Sequence, residues 1–306
     1  MPPRARSPRA EPWKIPDLAE PRYSQSLERG LAILECFTSE QALLGIADVA
    51  DQLGMSRSST HRYMSTLVAL GYLDQGARRK YRLTLRVTKL GMSALSATTL
   101  REHAHADLLE LARRSGYPIA LATLDGPEIV YVDQVPGRRR AAGAGDIGAP
   151  ALGSRSPAYC AALGKVLLAH LPERERQRTL AGTTLERRAP NTITRKAALR
   201  DELEQVRNDA FAVEDEELAA GRIGIAAPVR DNTGEVTAAL DMTANAATIA
   251  VEELADALGP HLVATADHIS ARLGYRRENG SAGPVAPVRR DDRAPRATPP
   301  AGLASR

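Results

Sequence analysis

Between positions 23 and 115 the apolar residues recur mostly at helical spacing. Leu27, Leu31 and Leu34 fall on one face of a first helix, and Ile46, Val49, Ala50 and Leu53 repeat at i, i+3, i+4 and i+7 in a second. A third helix follows Ser56, with Thr60, Tyr63, Met64, Leu67 and Leu70 facing inward; Met55 is expected to plug the core. GYLDQGARRKYRL (71–83) then reads as strand, turn, strand, with Gln75-Gly76-Ala77 at its tip. Leu90, Leu95, Leu100, Leu108 and Leu111 predict one long helix over Leu85–Arg114, broken near Ser93–Thr99. From Tyr117 the pattern changes to short strands: YPIALATL and EIVYVDQV around the turn Asp125-Gly126-Pro127, then GIAAPV (224–229) and EVTAALDMT (235–243) around the loop 231–234. Amphipathic helices are expected near Ala158–Leu171, Ala197–Asn208 and Val251–Leu273.

This change of regime predicts an α+β chain. A tail spans residues 1–21, a winged helix-turn-helix 22–84, a linker helix region 85–116, an antiparallel-sheet domain 117–275 and a basic tail 276–306. The tails hold eleven of the 20 prolines and lack apolar periodicity, so both read as disordered. The second carries Arg289, Arg290, Arg293 and Arg296, which read as a solvated tail. Length agrees, since 306 residues exceed what one core usually occupies. No apolar run reaches the roughly 20 residues that span a bilayer, and the N-terminal segment lacks a signal-type apolar stretch. Two distant cysteines, Cys36 and Cys160, make neither a disulfide framework nor a zinc spacing. A cytoplasmic chain without cofactor or metal is expected.

The charge sharpens the first domain. In IADVADQLGMSRSSTHRYMSTLVAL (46–70), Gly54 makes the tight turn and Ser56 caps the next helix. The outer face of that helix carries Ser56, Arg57, Ser58, Ser59, His61, Arg62 and Ser65. Small hydroxyls permit close approach to base edges, and arginine forks match guanine or phosphate. Arg78, Arg79 and Lys80 follow in the wing. From Gly54 to Arg82 six basic residues oppose one acid, Asp74, which suits double-stranded operator DNA. An ordinary helical hairpin with a charged loop would share the helix-turn-helix spacing but not the glycine, wing and charge bias together.

RGLAILECF (29–37), LGYLDQGARRKYRLTLRVTKLG (70–91), GSRSPAYCAALGKVLLAHLP (153–172), FAVEDEELAAGRIGIAAPVRD (211–231) and GEVTAALDMT (234–243), in this order, resemble IclR-type bacterial transcription regulators over residues 22–275. The details ending in LTLRVTKLG and RSPAYCAALGKVLLA are most similar to the subgroup controlling protocatechuate or 4-hydroxybenzoate catabolism. The resemblance implies a GAF-like effector domain, a homodimer or tetramer, and a small organic acid as effector. It places that acid at Ala162, Leu163, Glu214, Gly224, Asp241 and Thr243. Two positions depart from the family pattern: Asp241 brings a charge where a hydroxyl is common, and Gly224 enlarges the cavity. Arg222, or Arg138–Arg140, would supply a counter-charge.

Other patterns fail on their surroundings. GAGDIG (143–148) has the dinucleotide spacing but is followed by Pro150 and Gly153. LGKV (163–166) lacks the glycine and hydroxyl of a phosphate loop. Cys160 and His170 lie about 15 Å apart along a helix, and His103 and His105 diverge on theirs. Of the acids 214–217 only Glu214 is expected to face a cavity. The competing reading is a small-molecule enzyme or ligand-binding protein with a vestigial helix-turn-helix; residues 117–275 offer it no nucleophile–base set.

Overall fold

The computed structural model describes residues 24–38, 41–97, 100–138 and 150–276, and for 92–97 the backbone. Residues 1–23 and 277–306, GAGDIG, Arg139 and Arg140 lie outside the described residues, as do positions 98–99 of the expected helix break. The chain divides into two compact units, Met1–Ala97 and Thr98–Arg306.

In the first unit α1 (Gln25–Glu35) starts on the cap Ser24, whose hydroxyl accepts from the Leu27 N–H. Of the three leucines on one face, Leu34 packs partly buried against the core. Ile33 is fully buried, with Phe37 beyond the helix, while Leu27 and Leu31 are 64% and 51% exposed. α2 (Ile46–Leu53) ends at Gly54, whose φ of 64° is left-handed and suits glycine. α3 (Arg57–Ala69) begins on Ser56, which accepts from the Ser59 N–H at 3.2 Å. Thr60, Met64 and Leu67 are buried as expected, whereas Leu70 is exposed and Met55 only half-buried. Met64, nine residues on, fills the core with Ile33, Val49, Leu73 and Tyr81.

The wing pairs β1 (Leu73–Gln75) with β2 (Tyr81–Leu83), and Leu44 bridges to Tyr81 through two backbone bonds of 2.8 and 3.1 Å. Its tip lies further along than expected. Arg78 and Arg79 themselves turn the chain, at φ of 58° and 55°. Such backbone is unfavourable for a side-chain-bearing residue.

The expected linker region is shared between the units. α4 (Arg86–Ala97) belongs to the first, and α5 (Leu100–Ser115) packs in the second with Leu100, Ala104, Leu108 and Leu111 buried. The second unit is built on six antiparallel strands: β3 (Ile119–Asp125), β4 (Glu128–Val135), β5 (Arg155–Pro157), β6 (Ala212–Asp215), β7 (Arg222–Arg230) and β8 (Val236–Asn245). Their order is β5-β4-β3-β8-β7-β6. α5 and α9 (Val251–Arg272) pack together and against the sheet. α6 (Ala162–His170) lies over the alanines of the sheet (Ala120, Ala122, Ala212, Ala226, Ala239), with α8 (Lys196–Asp209) behind it. α7 (Glu173–Gly182) and the edge strand β6 are additions to the elements expected from sequence.

Candidate functional site

The polar face of α3 is available as expected. Arg57, Ser58, His61, Arg62 and Ser65 are exposed, and Ser59 is half-buried because its N–H and hydroxyl serve the Ser56 cap. The guanidinium of Arg62 lies over the Tyr63 ring, 5.7 Å from its centroid. The basic residues of this unit are not equivalent. Lys80 Nζ donates to Asp48 Oδ2 at 2.6 Å, and Arg82 is held by Asp74 at 2.7 Å. Arg57, Arg62, Arg78 and Arg79 make no ion pair among the described residues. Four arginines, two on α3 and two at the wing tip, are therefore left without an acidic partner among the described residues.

In the second unit the strand register gathers buried polar residues under α6. Glu214 in β6 faces Gly224 in β7, which faces Thr243 in β8; Arg222 lies two residues before Gly224 and Asp241 two before Thr243. Alternation puts these side chains on the α6 side of the sheet. Glu214, Arg222 and Asp241 are each at least nine-tenths buried, and Thr243 is half-buried. Arg222 Nε donates to both Glu214 oxygens, at 3.2 and 3.3 Å, and its Nη2 lies 3.5 Å from Asp241 Oδ2. Asp241 Oδ1 accepts from the Ala120 N–H at 3.1 Å. The awkward charge at Asp241 thus has the arginine as its neighbour.

Burial pushes the Asp241 carboxyl up to about 7; the Arg222 charge opposes that rise and the Glu214 charge adds to it. Burial alone would lower the Arg222 guanidinium, but Glu214, Tyr131 and Asp241 outweigh it and hold it further into the charged range. Gly224 does not open the space expected of it. A Cβ there would meet Thr243 Cγ2 at 3.3 Å and Glu214 Oε2 at 3.6 Å, so the glycine lets these two side chains close over the strand.

Ala162 and Leu163 begin α6 and are fully buried. Among the described residues their N–H groups find no backbone acceptor, leaving the positive end of a buried helix unfilled. Gly164 is demanded by packing: a Cβ would lie 2.1 Å from the Ala158 carbonyl oxygen. Lys165 is fully buried and bonded to Glu217 at 2.7 Å and Glu202 at 2.8 Å. Glu217 therefore departs from the solvated run expected of residues 215–217. Cys160 is buried, and burial with the Glu214 charge raises its thiol to about 12, an inert group. Among the described residues no cluster could hold a metal ion, and no helix is long and apolar enough to cross a membrane. Arg138 is exposed at the last described position before residue 150.

A winged helix-turn-helix with arginines unpaired among the described residues, carried with an antiparallel-sheet unit that buries a polar cluster, defines a two-unit DNA-binding regulator. Comparison with known proteins gives the family. The IclR helix-turn-helix domain matches residues 26–77, and the bacterial transcriptional regulator IclR C-terminal domain matches residues 92–271. The chain belongs to the IclR family of transcriptional regulators. It is 33% identical to the HTH-type transcriptional regulator XynR of Escherichia coli, over 82% of this chain and 98% of XynR. It is 31% identical to the p-hydroxybenzoate hydroxylase transcriptional activator of Acinetobacter baylyi, over 85% of this chain and 96% of that protein. An IclR homologue from Microbacterium hydrocarbonoxydans, solved with 4-hydroxybenzoate, superposes with a TM-score of 0.66 at 25% identity, covering 81% of this chain and 99% of its own. The relatives are transcriptional regulators, not enzymes, so the enzyme reading is set aside.

Proposed function

We propose that the second unit binds a small organic acid, aromatic by analogy with two of the relatives, and that binding alters the affinity of the chain for its operator. The observation that carries this reading is Arg222: a buried guanidinium whose terminal nitrogens make no hydrogen bond among the described residues, on the same sheet face that α6 covers. A carboxylate would be held between the free N–H groups of Ala162 and Leu163 and the Arg222 fork. Asp241, Glu214 and Thr243 would then read the rest of the ligand, with Gly224 keeping the strand accessible to Glu214.

On the DNA side, Ser56, Arg57, Ser58, Ser59, His61, Arg62 and Ser65 are assigned to the major groove, and Arg78 and Arg79 to the backbone. Lys80 serves from its place beside Asp48. A homodimer or tetramer would read a pseudo-palindromic operator in the cytoplasm. The effector can shift operator binding only by its differential affinity for the free and DNA-bound chain. A gel shift with the DNA upstream of the chain's own coding region, with and without benzoate, 4-hydroxybenzoate, protocatechuate and short aliphatic acids, tests both halves. A shifted complex whose midpoint moves with one of these acids is expected; a complex indifferent to all of them overturns the effector reading.

A further inference from the structure

One buried polar atom on the α6 face is used by nothing described so far. Gln134 in β4 stands opposite Ala120 in β3, and Ala120 stands opposite Asp241 in β8. Directly opposed residues of antiparallel strands project to the same side. Ala120 belongs to the core under α6, so Gln134 and Asp241 rise from the same face with only a methyl group between them. The Gln134 Oε1 is closed to solvent and accepts no hydrogen bond among the described residues. An amide oxygen so placed is costly unless something donates to it. Asp241 leaves a matching vacancy: Oδ1 is taken by the Ala120 N–H, while Oδ2 has only the long 3.5 Å approach of Arg222.

We propose that Gln134 is a specificity-determining residue of the effector site, which with Asp241 selects an acid bearing a hydroxyl at the end remote from its carboxylate. This rests on the effector reading above. A hydroxyl between the two side chains can donate its one proton to the Gln134 Oε1 and accept from the Asp241 carboxyl when its Oδ2 is protonated. A second carboxylate there would face Glu214 and Asp241 against the single charge of Arg222, so diacids are excluded. A bare hydrocarbon end would leave the amide oxygen unmet.

The test is calorimetry on the full chain with matched pairs: 4-hydroxybenzoate against benzoate, and 4-hydroxybutyrate against butyrate, with terephthalate and succinate as diacids. In the parent, the hydroxylated member of at least one pair binds about tenfold more tightly or better, the factor set by one buried hydrogen bond. In Gln134→Leu that ratio falls to about twofold or less, through loss of the hydroxy acid rather than gain of the other. A melting profile and circular dichroism spectrum matching the parent's show that the variant is folded. If the parent binds both members of each pair equally, or binds the diacids best, the inference is overturned without any variant; a ratio that survives Gln134→Leu overturns it too. Should the parent bind none of the six acids, the effector reading itself fails, a result distinct from loss of selectivity.

Discussion

Lys80 and Asp48 are joined by a 2.6 Å ion pair that ties the wing to the start of α2, where the same Asp48 oxygen accepts from the Gly45 N–H at 2.7 Å. The hydrogen bond from Lys80 and this backbone bond both hold the Asp48 carboxyl below its usual range. Lys80 therefore positions the wing, while Arg78 and Arg79 at the tip carry unpaired charge. Arg78→Ala and Arg79→Ala should each weaken operator binding about equally for all sequences and reduce the salt slope by ~1. Lys80→Ala should reduce the slope less. Equal slopes for the three variants, read from binding between 50 and 200 mM salt, would contradict this ranking.

The two arginines of α3 should behave otherwise. Arg57→Ala or Arg62→Ala is expected to cost ~1–3 kcal/mol of operator binding, with the loss concentrated at particular base pairs. Effector binding by calorimetry should be unchanged. Parental operator affinity in both variants would show that another face of the unit meets DNA.

Gly164 leaves no room for a side chain. Gly164→Ala drives a methyl into the backbone of the turn that precedes α6, and backbone cannot swing away as a flexible side chain could. A loss of more than ~3 kcal/mol is expected, against ~1 kcal/mol for an ordinary left-handed glycine such as Gly54. Chemical denaturation of the two variants checks the order.

Lys165 stands against two carboxylates in an environment that excludes water. Its burial opposes the charge, but Glu217 and Glu202 outweigh it and hold the ammonium above its usual range. Lys165→Met should cost ~3–5 kcal/mol, because Glu217 is left buried without its cation. Adding Glu217→Leu should recover a large part of that. A double variant no better than the single one would show that packing, not charge, is at stake.

The Asp241 carboxyl, raised to about 7 by burial, links stability to pH. Unfolded, it ionises near 3.9. Between these values the folded chain holds the proton more firmly, so this contribution is full below about pH 4 and is lost as pH rises through 7. Glu217 is displaced in the same direction, also chiefly by burial. The melting temperature should fall between pH 5 and 8, and Asp241→Asn should flatten that slope. A parental slope in Asp241→Asn would remove the assignment.

The helix-turn-helix was legible because its signals are local. Gly54 and Ser56 fix the turn and cap within the sequence pattern itself, and the charge bias of the wing needs no tertiary knowledge. α1 misled because it carries two apolar stripes; periodicity finds both but does not say that Ile33 rather than Leu27 and Leu31 faces inward. Of the acids 214–217 Glu214 alone is expected to face inward, and period-two alternation in β6 places it there with Ala212. Glu217 is drawn in by Lys165, a partner supplied by another element. The sequence marks Arg222 as a candidate counter-charge, but its pairing with Asp241 depends on register between β7 and β8. Gln134 carried no signal at all: its significance arises only when three strands are laid side by side.

The bond from the Ala120 amide to Asp241 has a practical corollary. A main-chain proton of one strand is directed at an ionisable side chain of its neighbour, so its magnetic environment follows the protonation of that carboxyl. In a nitrogen-edited spectrum the Ala120 resonance would serve as a built-in indicator, moving with acidity near neutrality and again when a guest settles beside it.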